Sequence, residues 1–183
     1  TQEERNTPVV IDIGGIKFGF VAYTHSTNTV ENSCDKAVFE YGVPYLYKAD
    51  IEGDIQRLRN AGAEVVIAFP HWGDEYIRQP DNNQISYARR LAEAGADIIL
   101  GSHSHMVQPM KVVNVTRNDG TNRNVFIIYS LGNFLTSHDL EYTDAGIILD
   151  FTVQEQPNGT FEVVDIGYVP TYCWTHDGGV EVV

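Results

Sequence analysis

Residues 59–69, RNAGAEVVIAF, and residues 92–100, AEAGADIIL, carry one pattern twice. In each, a helical stretch runs into Ala-Gly-Ala, then one acid, then a short apolar run. The glycine ends the helix, and an apolar run of this length bounded by turn residues suits a buried strand. Ahead of the first copy, Asp50 is a suitable N-cap, and Ile51, Ile55 and Leu58 follow at spacings of four and three. Ahead of the second, a helix from about Asn82 to Gly95 would put Ile85, Ala88, Leu91 and Ala92 on one face. Strands are expected over residues 64–69 and 97–100. Joining parallel strands through a helix makes a right-handed βαβ unit whose strand ends share one edge of the sheet. The fold class is therefore α/β.

Each strand exits into residues with chemical potential. The first runs into Pro70-His71-Trp72-Gly73 and the second into Gly101-Ser102-His103-Ser104-His105. Open α/β sheets bind ligands at the carboxyl edge, so these histidines should meet on a functional rim. Neutral imidazole suits transition metals at about 2.0–2.1 Å, both rings of a His-x-His pair at a strand end can lie on the same side, and a bimetallic site needs ligands for ions about 3.5–4 Å apart. A single loop histidine is more often solvated or structural; it is the convergence of His71, His103 and His105 that points to metal. His25, His138 and His176 show no spacing that recruits them. Glu75, four residues after His71, is either a proton-transfer group or a solvated charge. Asn133, in YSLGNF (129–134), leaves an apolar strand through a glycine turn, where it either touches ligand or caps the turn. The chain has no Gly-x-Ser-x-Gly elbow for a serine nucleophile.

With 183 residues the chain has the length of a single domain with a real core. Lys plus Arg number 12 against 25 Asp plus Glu, a net charge of −13, which repels a phosphate backbone and argues against nucleic acid. Apolar runs such as residues 65–69 and 147–149 fall far short of the roughly 20 residues that span a bilayer. The chain starts at Thr1 with no signal segment, so the numbering is expected to begin inside a longer gene product. Cys34 and Cys173 lie far apart without CxxC spacing and are expected to be separate thiols.

Residues 8–23 suggest two strands joined at Gly14-Gly15, with Asp12 a turn residue. Residues 25–47 show no sustained period and are expected to form a long loop. Beyond Gln108, apolar segments at 110–115, 124–129, 146–153 and 161–169 alternate with turns at 118–120 and 157–159, which suggests an antiparallel meander.

Three segments together carry a family resemblance: HWGDEY (71–76), YARRLAEAGADIILGSHSHMVQP (87–109) with Gln84 ahead of it, and IIYSLGNF (127–134). In order and spacing they closely resemble the CapA/PgsA-type capsule-synthesis proteins, linked to poly-γ-glutamate and similar to calcineurin-like metallophosphoesterases. The resemblance spans roughly residues 8–172. It implies a layered αββα sandwich with a mixed sheet and antiparallel strands toward the C-terminus. It also implies His71 and His103 on one divalent ion (Zn, Mn or Fe) and His105 on a second. Glu75 and Asn133 belong to the family motifs and are the candidate catalytic residues. The implied partners are a polyanionic capsule polymer or phosphoester substrate and other capsule-synthesis membrane proteins. The implied location is the bacterial cell surface, extracellular or membrane-anchored.

The superfamily's earlier motifs, a Gly-Asp, an acidic Asn-Leu-Glu and an Asn-Asn-His segment, are not found here. Gly53-Asp54 falls inside an expected helix and Gly73-Asp74 in the HWG loop. The chain is therefore expected to be the C-terminal part of one such domain, residues 1–183, whose N-terminal half is a missing partner. Without a bridging carboxylate, two like-charged ions would repel, so one metal or none is expected here, with little or no activity for the fragment. Three roles stand for the whole protein: metal-dependent hydrolysis, non-catalytic polymer binding in the assembly or export machinery, or a purely structural domain with solvated histidines.

Overall fold

A computed structural model of the chain describes residues 1–176 and 178–183. In chain order the elements are α1 (Gln2–Asn6), β1 (Val9–Ile13), β2 (Ile16–Thr24), a 3-10 turn (Val30–Ser33), α2 (Lys36–Gly42), α3 (Ile51–Asn60), β3 (Val65–His71), α4 (Asn82–Ala94), β4 (Ile98–Leu100), β5 (Met110–Thr116), β6 (Asn122–Ile128), β7 (Ala145–Glu155), β8 (Phe161–His176) and β9 (Gly179–Val182). A six-stranded mixed sheet has the order β1-β2-β3-β4-β6-β5, and a second sheet has the order β7-β8-β9. Strands β2, β3, β4 and β6 run parallel, with β1 and β5 as antiparallel edges.

Three layers result among the described residues. Ile51, Ile55 and Leu58 of α3 and Ala88, Leu91 and Ala92 of α4 pack with Val66, Ala68 and Ile99 on one face of the large sheet. On the other face, Val65, Ile67, Ile98 and Phe126 meet Ile147, Leu149, Phe151 and Val163 of the second sheet. Alternation along β7 aims its odd-numbered apolar residues inward and leaves Ile148 exposed. No helix is long and apolar enough to cross a membrane among the described residues.

The repeated acid of the two βαβ units has a shared structural role. Glu64 accepts from the Lys17 backbone N–H at 2.9 Å, and Asp97 accepts from the Val66 N–H at 2.7 Å. Each acid ties the start of its own strand to the preceding neighbour in the sheet. Asp97 is also clamped by Arg59 at 2.7 Å and Arg117 at 2.5 Å. Both helices are capped where the sequence suggested: Asp50 accepts from Gly53 N–H, and Gly95 ends α4 at φ 122°. Asp12 accepts from Gly15 N–H across the first hairpin.

Three expectations are corrected. Residues 25–47 are not a plain loop: they hold the 3-10 turn and α2, and α2 buries none of its residues, so no apolar period marked it. The strands after Gln108 do not form one meander, because β6 enters the large sheet parallel to β4 while β7 to β9 form the second sheet. The contiguous run Val125-Phe126-Ile127-Ile128 is buried on both faces, which suits an interior parallel strand. On α4 it is Gln84, 1 % exposed, that faces inward, while Ile85 is 45 % exposed. Cys34 and Cys173 are separate free thiols, in line with their spacing.

Candidate functional site at the carboxyl edge of the parallel strands

Four parallel strands deliver polar side chains to one rim. β2 ends at Thr24 and hands the chain to His25; β3 ends at His71; β4 leads through Gly101 and Ser102 to His103 and His105; β6 leads to Asn133. The register pairs Thr24 with His71 and bridges His71 to Ser102, so these ends lie level. Close packing beneath the rim requires glycine at position 101, where a Cβ would stand 2.0 Å from the Tyr129 carbonyl oxygen and 2.6 Å from Trp72 Nε1. Trp72 is buried and donates from Nε1 to that same carbonyl at 2.9 Å.

The expected trio comes together, and two further histidines join it. Ring centroids of His71 and His103 are 4.3 Å apart, and His103 and His105 are 6.3 Å apart. His25 stands 4.8 Å from His103 and 6.4 Å from His71. His138 stands 4.4 Å from His105, and Tyr76 stacks on His105 at 5.6 Å. Sequence spacing missed His25 and His138. For His25 a signal existed: FVAYTH, IAFPH and IILGSH each end a strand of the same parallel set in histidine. His138 lies in the excursion between β6 and β7 and carries no comparable signal.

Hydrogen bonding selects one tautomer for three of these rings. The His25 Nδ1 faces the His71 carbonyl oxygen at 3.2 Å, and a carbonyl only accepts, so Nδ1 holds the proton. Thr24 spends its hydroxyl hydrogen on the Ser26 carbonyl at 2.6 Å, so its oxygen accepts from His71 Nδ1 at 3.3 Å. Asn133 donates its amide to the Thr143 carbonyl at 2.8 Å and turns its oxygen to His105 Nδ1 at 2.9 Å. Each ring thus keeps an Nε2 lone pair. Partners that hold one ring nitrogen protonated are the usual support of a metal-ligating histidine.

Burial, followed by the neighbouring His71 and His25, lowers the His103 pKa to about 4. Burial and the charges of His25 and His105 lower that of His71, against a smaller opposing pull from Glu75. Both rings are therefore neutral, with lone pairs available, near pH 7. His103 and His105 adopt φ of 106° and 59°, backbone that favours glycine. Glu75 is exposed, bonds to Tyr76, and lies near enough for its charge to oppose the lowering of the His71 and His103 pKa values. Asn133 is a positioning residue for His105. His176 lies apart, beside Trp174 and Glu181.

The donor chemistry suits a divalent transition metal, since neutral imidazoles with free Nε2 are ligands of choice. Their convergence is incomplete: among the described residues no three His, Cys, Asp or Glu side chains form a group that could hold a metal ion. The shortest ring approaches are His71 with His103, His105 with His138 and His25 with His103.

Residues 1–138 match the sequence model of a family described as "Bacterial capsule synthesis protein PGA_cap". A curated relative, the "PGA biosynthesis protein CapA" of Bacillus subtilis (strain 168), is 36 % identical over 125 residues, which is 67 % of this chain and 30 % of that protein. The "Capsule biosynthesis protein CapA" of Bacillus anthracis is 29 % identical over 108 residues, 59 % of this chain and 24 % of that protein. The chain thus spans less than a third of either relative. A crystal structure of a hypothetical protein from Thermus thermophilus superposes with a TM-score of 0.45 at 14 % identity, over 89 % of this chain and 60 % of that one.

Proposed function

Because this chain belongs to the PGA_cap family of bacterial capsule synthesis proteins, we propose that its histidine rim is part of a divalent-metal site used for hydrolysis by the full-length protein. One observation carries the proposal: His25, His71 and His105 have Nδ1 engaged by fixed acceptors, so their Nε2 lone pairs are available at one rim. His71 and His103 would serve one ion and His105 a second, with Zn, Mn or Fe as candidates. His25 and His138 are the nearest additional donors. At least one further ligand must come from outside these 183 residues or from rearrangement of the rim, since no three donors converge among the described residues.

A divalent ion at this rim would act as a Lewis acid toward a phosphoester or related electrophile. This chain's own residues hold neutral imidazoles in place, orient them through Thr24, Asn133 and the His71 carbonyl, and flank them with the ring of Tyr76. Glu75, exposed in the adjoining loop, is the candidate for proton transfer once substrate covers it. The proposed substrates are phosphoesters or a polyanionic capsule polymer, at an extracellular or membrane-anchored location on the cell surface with capsule-synthesis membrane proteins as partners.

The incomplete donor set favours a second role, in which the same rim binds polymer without catalysis. Metal analysis of the full-length protein, purified without chelator, separates the possibilities. The expected result is bound metal near stoichiometric amounts, reduced at least two-fold by His103→Ala and by His105→Ala. Trace metal indifferent to both substitutions would end the metal proposal. Bound metal without turnover of a panel of phosphoesters and γ-glutamyl peptides would assign the binding role.

A further inference from the structure

Between β6 and β7 the chain makes an excursion over residues 133–144 that is tied at its base and loose at its tip. Its ends meet, and its length lies within the range of compact Ω-loops, about 6–16 residues. At the base, Asn133 donates its backbone N–H to the Ala145 carbonyl at 3.1 Å and its side-chain amide to the Thr143 carbonyl at 2.8 Å. The Cys173 N–H donates to the Asp144 carbonyl at 2.7 Å, and the Cys173 thiol to the Phe134 carbonyl at 3.4 Å. Thr143 is fully buried, and Gly146 packs so closely that a Cβ there would stand 2.2 Å from the Asn133 carbonyl oxygen.

The tip is held differently. Among the described residues, no hydrogen bond joins residues 135–142 to anything beyond the excursion itself. Leu135, Leu140 and Tyr142 are exposed. A segment with few buried contacts and no outward hydrogen bonds opens at low cost. Ring contacts hold it in place: His138 lies 4.4 Å from His105 and 5.9 Å from Tyr76, and the Arg78 guanidinium carbon lies 4.7 Å from the centre of the Tyr142 ring. Tyr76 and Arg78 belong to a loop that is itself anchored. The Tyr76 N–H donates to the Ser104 carbonyl at 2.7 Å, and the Gln108 amide donates to the Ile77 carbonyl at 2.9 Å. Tyr142 holds φ at 68°, backbone that a Cβ disfavours, so its contact with Arg78 opposes a local tendency to relax.

We infer that residues 134–142 form a lid over His105, closed in this structure and latched by Arg78 on Tyr142. Release of the latch swings His138 away on the fixed base and bares the His105 Nε2 to a ligand entering the rim. Asn133 belongs to the base, so His105 keeps its Nδ1 partner at 2.9 Å in both positions. The lid thus controls access to a donor without re-aiming it. The inference rests on the reading of the rim as a binding site, but the latch itself is observable without metal or turnover.

The test follows carbethoxylation of His105 by diethyl pyrocarbonate at pH 7 in the full-length protein after chelator treatment, with the modified ring located by peptide fragmentation in a mass spectrometer. Arg78→Gln and Tyr142→Leu should each speed the reaction at His105 by about two- to five-fold, the gain in open population expected on losing an exposed cation–π pair. Tyr142→Phe keeps the ring face and should react at the wild-type rate. His25, whose ring neighbours are His71 and His103, is the internal control and should be unchanged in every variant. Unaltered rates at His105 in the glutamine and leucine variants, a phenylalanine variant as fast as the leucine one, or a rise at His25 in step with His105 would each overturn the lid. None of these outcomes depends on metal content, so the lid and the proposed metal centre stand or fall separately.

Discussion

At the scale of single residues, the rim is built by backbone that its side chains do not favour. His103 holds φ at 106°, where a Cβ is strained. Glycine at 103 would relieve that strain at the cost of unfolded-chain entropy, whereas alanine would keep it. His103→Gly is therefore expected to be more stable than His103→Ala by about 1 kcal/mol in denaturant unfolding. Equal stabilities, or a more stable alanine variant, would show that the backbone at 103 is relaxed. Strain at this position fits a residue retained for its imidazole.

At the scale of elements, α4 shows how a polar residue can be worth more than an apolar one on the same helix. Gln84 accepts from Asp81 N–H at 3.0 Å in the capping box, and its amide donates to Gln108 Oε1 at 2.7 Å. Gln108 in turn donates to the Ile77 carbonyl at 2.9 Å, which anchors the segment after the HWG loop. Gly73 is needed where Gln84 passes, because a Cβ there would stand 2.5 Å from its amide carbon. Gln84→Ala leaves buried partners unsatisfied and is expected to cost about 1–3 kcal/mol. Ile85→Ala, at a residue 45 % exposed, should cost less than about 1 kcal/mol. A thermal or urea series on the two variants checks the order, and the reverse order would contradict this packing. The apolar period of α4 was legible in the sequence, but the choice between Gln84 and Ile85 for the buried side depends on what the helix packs against.

At the scale of the whole molecule, one buried carboxylate joins the N-terminal helix to the core. Asp54 of α3 accepts from Arg5 of α1 at 2.9 Å, from Arg57, and from the Tyr23 hydroxyl of β2 at 3.2 Å. Burial opposes its charge, but the hydrogen bonds and charges of Arg5 and Arg57 prevail and lower its pKa. Burial, then the Asp54 charge, pushes the Tyr23 pKa up, so the phenol stays a donor. Since the folded pKa of Asp54 lies below the unfolded value of about 3.9, its stabilisation is present above that value and is lost as pH falls through the folded one. Asp54→Asn should remove this part of the acid dependence and cost about 2 kcal/mol at pH 7, less than the roughly 3–5 kcal/mol of a fully buried pair because both arginines reach solvent. Unfolding midpoints from pH 7 to pH 3 measure it; parallel curves for the two proteins would refute the role given to Asp54.

Much of the architecture was written locally. The twin Ala-Gly-Ala-acid-apolar units, the Asp50 cap, the Gly14-Gly15 hairpin and the His71, His103 and His105 rim all rest on short-range chemistry: turn glycines, capping oxygens and apolar runs act within a few residues. Decided only in three dimensions were the entry of β6 beside β4, the recruitment of His138, and the alignment of Asn133 on His105. Each depends on contacts between residues far apart in the chain, and sequence spacing carries no measure of which strand ends become neighbours. The parallel sheet supplies that information by setting four strand ends level, so side chains unrelated in sequence meet at a single rim.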